Sequence, residues 1–256
     1  MKPLMRFLLT AAAIGALSGC VCDHESIYQV STLQALMEGV YDGDTTVSGL
    51  MRHGDFGIGT FNALDGEMVC VGGRVYQVRA DGKAIPASGN LRTPFACVTW
   101  FDVDGSSALP GGMDFEQFRS YLDGRLPTAN LPYAVRVEGA FSQVRTRSVP
   151  AQIKPYPRLA EVTKNQPTFN LEHVRGVLVG FRLPQYVDGI NVPGYHMHFL
   201  TEDRRAGGHV LDFKVEKATV EVDTTPRLKL VLPETGAFSG VDLTQKKKED
   251  ISAVEK

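Results

Sequence analysis

The hydrophobic positions run at helical spacing in two short early segments and then alternate with polar ones. Leu33, Leu36, Met37 and Val40 follow Ser31-Thr32-Leu33-Gln34, a capping-box sequence, and predict a helix that stops at the turn-rich Tyr41-Asp42-Gly43-Asp44. A second short helix is expected over 47–52, with Gly54 just beyond it. From there a period of two predicts strands over 57–61, 67–71 and 75–79, joined by Asp-Gly and Gly-Gly turns. Another strand is expected over 95–103. Asp114-Phe115-Glu116-Gln117 opens a helix through Phe118 and Leu122, closed by Gly124, and 133–144 alternates as a long strand. In the second half, a short helix near 169–174 ends at Gly176, and strands are expected over 177–182, 192–200, 210–223 and 228–232. LDGEMVCVGG (64–73) and VDGINVPGYH (187–196) each join an Asp-Gly turn to an apolar strand and a further glycine, a pattern compatible with an internal duplication.

These elements divide the chain into an N-terminal α+β unit over 29–160 and a β-rich unit over 161–245, with a charged tail over 246–256. Residues 1–19 stand apart: a basic start (Lys2, Arg6) and an apolar stretch too short to span a bilayer as a mature helix. They end in Leu17-Ser18-Gly19-Cys20, which resembles the bacterial lipoprotein cleavage box and implies lipidation of Cys20 and a short tether over 20–28. The expected location is outside the cytoplasm, anchored at the membrane by lipid, or secreted if the cysteine is incidental.

With 256 residues, 43% apolar and 22% charged, the chain can bury a sizeable core. A net charge of −2 gives no basic field and disfavours nucleic acid as a partner. The 26 glycines and 14 prolines favour short strands and many turns. Of the four cysteines, Cys70 and Cys97 lie in apolar strands, where export permits a disulfide and two buried thiols serve equally well. The spacing is not that of a zinc ribbon.

Chemistry concentrates in YHMHFLTEDRRAGGH, residues 195–209, which holds three of the six histidines. In a strand, His196 and His198 share one face, about 7 Å apart by the rise per residue. Gly207-Gly208 suits a tight return, and a hairpin would carry His209 back beside them. Three neutral imidazoles with an open fourth position describe a catalytic metal site, with zinc the default among zinc, iron, copper, nickel and manganese. Glu67, flanked by apolar residues, is either solvent-facing or buried for a purpose. Arg145 and Arg147 read most simply as an exposed strand end. From spacing alone the chain is an exported β-rich metalloprotein, a hydrolase or a lyase. A cupin-like metal oxygenase and a metal-binding lipoprotein without catalysis stay open.

The strings GDFGIGTFNALDGEMV, TRSVPAQIKPYPRL and VPGYHMHFLTEDRRAGGHVLDF closely resemble the bacterial α-acetolactate decarboxylase family, from about Tyr28 to the C-terminus. The resemblance implies a lyase that converts 2-acetolactate to acetoin and CO₂, a step of the butanediol pathway, with Zn²⁺ as cofactor. It implies His196, His198 and His209 as metal ligands, Glu67 as an acidic group beside the metal, and Arg147 as an active-site arginine. Glu255 would match a glutamate reaching in from the tail, and Thr60 would line the site through its backbone. The implied fold is α+β, two packed and mainly antiparallel sheet units with a few short helices. Homodimers are common in the family.

Overall fold

The computed structural model describes residues 24–244. The expected signal peptide, the lipidation site Cys20, Cys22 and the tail with Glu255 lie outside the described residues. Two β-sheets packed face to face carry the structure, as the sequence and the resemblance led us to expect.

The chain begins with β1 (Ser26–Val30), α1 (Leu33–Met37), β2 (Thr45–Thr46) and α2 (Val47–Leu50). β3 (Phe56–Thr60), β4 (Glu67–Val71), β5 (Arg74–Val78) and β6 (Ala84–Pro86) form a meander. β7 (Arg92–Thr93), β8 (Ala96–Thr99), β9 (Gly105–Leu109) and α3 (Phe115–Asp123) lead to the long β10 (Tyr133–Arg147). After α4 (Leu159–Val162) come β11 (Thr168–Leu183), β12 (Gly194–Thr201), β13 (Gly207–Thr224), β14 (Arg227–Val231) and α5 (Gly236–Gly240). The first sheet has seven strands in the order β14-β1-β8-β3-β4-β5-β6, antiparallel apart from the β1–β14 edge. The second runs β10-β11-β12-β13-β9, and β10 also pairs with β13. That extra pairing curls the second sheet into a ring of four strands.

The ring closes over a short ladder. β12 and β13 pair only through His198 with His209, Phe199 with Gly208 and Leu200 with Gly207. Further along, β13 pairs with β9 instead. Val135, Val137, Phe141, Met197, Phe199 and Phe213 fill the ring, joined by Phe118 and Leu122 of α3. Phe141 packs edge-to-face on Phe199 and Phe213, with centroids 5.7 and 5.8 Å away. Burying each such ring contributes about 1.5–3 kcal/mol. Residues one position out of phase face the other sheet: Val177, Val179, Phe181 and Leu200 pack against Ile58, Val69, Val78 and Cys97.

Several expectations shift. Helix α1 is capped by Thr32, whose hydroxyl accepts from Ala35 N at 3.2 Å, while Ser31 stands outside it at φ 62°. The Asp114–Gln117 capping box of α3 forms in both directions, at 2.8 and 3.0 Å. The helix expected over 169–174 is instead the start of β11, because β10 offers a partner strand in one constant register from Arg147–Thr168 to Tyr133–Arg182. Tertiary pairing overrides local spacing there. The end of the expected tether is also ordered, since Ser26 to Tyr28 belong to β1, clamped between β8 and β14. The two sheets cut across the 160/161 division: β9 and β10 join the strands of the second half, and β14 joins the first sheet. The two Asp-Gly turns do place their glycines alike, Gly66 at φ 82° and Gly189 at φ 89°. The chains then diverge, β4 starting at once and β12 only at Gly194.

Cys70 and Cys97 are free and buried. They pair with Gly57 and Ile58 of the intervening β3 and so face opposite sides of the sheet, Cys70 into one core and Cys97 into the other. Burial pushes both thiols up, Cys97 to about 12.

Candidate active site

Alternation on β12 builds the site. Met197 and Phe199 point into the ring, so His196 and His198 point out of it, toward the first sheet. His209 faces His198 across the closing ladder. All three are buried, with ring centroids 4.9–5.4 Å apart. The return is not made by the double glycine. Thr201 and Asp203 hold the turn, the Thr201 hydroxyl accepting from Ala206 N at 3.0 Å and donating to Asp203 at 2.6 Å. The glycines serve close approach: a Cβ on Gly207 would meet Phe199 O at 2.2 Å, and one on Gly208 would meet Arg147 O at 2.5 Å.

The imidazole geometry fits a metal. One nitrogen from each ring lies within 4.8 Å of the others, the only such His/Cys/Asp/Glu group among the described residues. His196 Nε2 and His209 Nδ1 are 3.2 Å apart. Two nitrogens bound tetrahedrally at zinc distances lie about 3.3 Å apart. His198 Nδ1 donates to Met68 O at 2.8 Å, which leaves Nε2 as the lone-pair nitrogen. That Nε2 is buried and makes no hydrogen bond within the described residues. Burial, then the Arg147 charge, lowers the His196 pKa to about 3. Burial likewise holds His198 and His209 well below the usual imidazole value, with Arg147 and the neighbouring imidazoles adding to it. The rings are therefore neutral, the form that binds metal.

Glu67 and Arg147 flank the cluster. Glu67 is buried on β4, and its Oε2 lies 3.6 Å from His198 Nε2. Arg147 is only 3% exposed, although the strand-end pattern suggested an exposed residue. Arg145 is the exposed one of the pair. A register shift between Arg145 and Thr146 bends the end of β10, and Arg147 lands opposite His209. Nη1 of Arg147 donates to Gln166 Oε1 at 2.7 Å. Thr60 is also at the cavity, its hydroxyl donating to Gly66 O at 2.7 Å.

Thr60, Glu67, Arg147 and the three histidines line one cavity of about 50 Å³. Its polar side is Thr60, Glu67, Arg147, Thr163 and the three histidines, and its opposite wall includes Leu33, Leu36, Leu64, Phe95 and Leu159. The space suits a molecule of a few carbons rather than a nucleotide or a polymer. Gln166, Thr163 and the apolar wall were not singled out from the sequence. Gln166 and Thr163 lie in the connection between β10 and β11, which carries no periodic signal, while Leu33 and Leu36 read from the sequence only as the apolar face of a helix.

The alpha-acetolactate decarboxylase family model matches residues 27–245. The chain belongs to this family. It is 51% identical to the alpha-acetolactate decarboxylase of Methylococcus capsulatus over 91% of this chain and 89% of that one. Identity to the Bacillus subtilis enzyme is 45%, over 85% of each chain. The crystal structure of the alpha-acetolactate decarboxylase from Bacillus subtilis strain 168 superposes with a TM-score of 0.88 at 44% identity, over 90% of this chain and 99% of that one. A Staphylococcus aureus protein described as similar to alpha-acetolactate decarboxylase superposes with a TM-score of 0.85 at 30% identity, over 90% of this chain.

Proposed function

We propose that the cavity decarboxylates 2-acetolactate to acetoin and CO₂. The observation that carries this reading is the meeting of three neutral imidazoles, one buried carboxylate and one buried guanidinium in a small cavity, within a chain of this family. The substrate is a β-keto acid with a neighbouring hydroxyl. Losing CO₂ sends an electron pair toward the ketone oxygen, and the barrier falls if charge is stabilised where it develops.

His196, His198 and His209 would hold a divalent cation, zinc by the usual preference of three neutral imidazoles, and the ion would supply Lewis acidity to the ketone and hydroxyl oxygens. Arg147 holds the substrate carboxylate. Its fork matches a carboxylate bidentately, and the fixed end of β10 sets the direction in which CO₂ departs. Glu67 moves protons: from beside His198 it delivers the proton that replaces CO₂ on carbon. The apolar wall takes the methyl groups and excludes water.

Glu255 closes the site in this reading. Support comes from the last described residues, which run past α1: Gln34 Nε2 donates to Leu243 O at 2.9 Å, next to the cavity residue Leu33. Removing the last two residues should lower turnover, and unchanged turnover takes Glu255 out of the mechanism. The sequence around Cys20 supports export and lipid anchoring. Radiolabelled palmitate appearing on the chain, and not on Cys20→Ser, is the test.

The function itself is tested by incubating the zinc-loaded protein with racemic 2-acetolactate. Acetoin and CO₂ should appear in equal amounts. No acetoin from folded, zinc-loaded protein would end this reading.

A further inference from the structure

The segment between β10 and β11 does more than connect them. Its second half starts at Arg158, whose guanidinium is gripped by both oxygens of Glu38 beyond α1, at 2.9 and 2.6 Å. Leu159 and Thr163 then enter the cavity wall. The segment returns to the sheet at Gln166. Ser148 N donates to Pro167 O at 3.3 Å, and Thr168 is already paired with Arg147. Backbone bonds on its C-terminal side thus anchor the segment beside Arg147, where the 2.7 Å contact from Arg147 Nη1 to Gln166 Oε1 forms.

We infer that Gln166 is the positioning residue of Arg147, aiming the guanidinium at the substrate carboxylate while leaving its charge intact. The inference rests on the reading of Arg147 as the carboxylate holder. The residue type carries the point. An amide oxygen is a neutral acceptor that takes one of the five guanidinium N–H groups and fixes the plane of the fork. A carboxylate at the same place would form a charge-assisted pair and neutralise Arg147 where a second carboxylate must bind. An apolar side chain would remove this acceptor and loosen the fork. A neutral acceptor is the choice that orients without competing.

The test is calorimetric binding to the intact, zinc-loaded protein, with lactate as a 2-hydroxy carboxylate and acetoin as a ligand lacking the carboxylate. Arg147→Met is the control for the underlying reading and should abolish lactate binding. Gln166→Glu should weaken lactate about tenfold and acetoin less than twofold, with Gln166→Met intermediate for lactate. In turnover, Gln166→Glu should raise KM for acetolactate by a similar factor and lower kcat less. Equal weakening of both ligands, or none, would assign Gln166 a merely structural role and overturn the inference. Lactate binding that survives Arg147→Met would overturn the reading of Arg147 itself, and this inference with it. Gln166→Met guards against a Gln166→Glu protein that does not fold.

Discussion

Arg147 and His209 stand directly opposite each other across the β10–β13 ladder, and both side chains reach the same cavity. The pairing that closes the ring therefore sets a permanent positive charge beside three imidazoles that burial keeps neutral. An anionic substrate suits that arrangement, because its carboxylate can meet the guanidinium while its oxygens meet the imidazole centre.

Arg147→Lys keeps the charge and loses the fork. KM for acetolactate should rise about tenfold, the equivalent of about 1.4 kcal/mol of lost binding. Steady-state kinetics on protein with unchanged zinc content checks this. An unchanged KM would remove bidentate recognition from the account.

Glu67→Gln removes the proton carrier and leaves the three imidazoles in place. Zinc content should hold while turnover falls by about 10²–10⁴, the usual range for general acid–base catalysis. Metal analysis and single-turnover rates separate the two effects. Wild-type turnover would show that another group delivers the proton.

Gly208 sits at φ 138° with Arg147 O 2.5 Å from where a Cβ would stand, and a Cβ on Gly207 would run into Phe199 O. Gly208→Ala must open the β10–β13 ladder beside His209, and Gly207→Ala must open the short ladder that joins His198 to His209. Melting should fall by about 4–8 °C, the equivalent of about 2 kcal/mol in a chain of this size, with loss of bound metal. Native melting and full metal content would contradict the role given to these two ladders.

Asp223 is buried on β13, and burial, with Asp104 and Asp102 adding charge nearby, raises its pKa from 3.8 to about 7. The native state thus resists losing this proton while the unfolded chain gives it up near pH 4. The cost is absent below pH 4, grows as pH rises toward 7, and is complete above it. Asp223→Asn should therefore raise the melting temperature at pH 8 by about 2–4 °C, about 1 kcal/mol, and leave it unchanged at pH 4. A gain of equal size at both pH values would rule out this titration as the cause.

Much of this site was legible because strand alternation is a local property. His196 and His198 had to share a face, and the nearby His209 could return to them through a short hairpin. The capping box of α3 and the strands β4 and β5 were equally local. Arg147 was not legible from spacing, because its burial depends on the register shift in β10 and on a partner strand more than sixty residues away in sequence. The start of β11 looked helical for the same reason: only the presence of β10 makes it a strand. Gln166, Leu159 and Thr163 lie in a connection placed by tertiary contacts such as the Arg158–Glu38 pair, and the helix that carries Leu33 and Leu36 was legible while its place in the cavity wall was not. The resemblance to a known family supplied Arg147 before the fold did, and it supplied no hint of Gln166.

The central claim is that His196, His198 and His209 hold a metal that the reaction requires. Acetoin release from acetolactate should be measured on the protein as purified, after rigorous chelation, and after zinc is returned, with His198→Ala alongside. Loss on chelation and recovery on zinc addition in the native protein, with no recovery in the variant, is the predicted result. Acetoin release that persists at full rate without metal would contradict it.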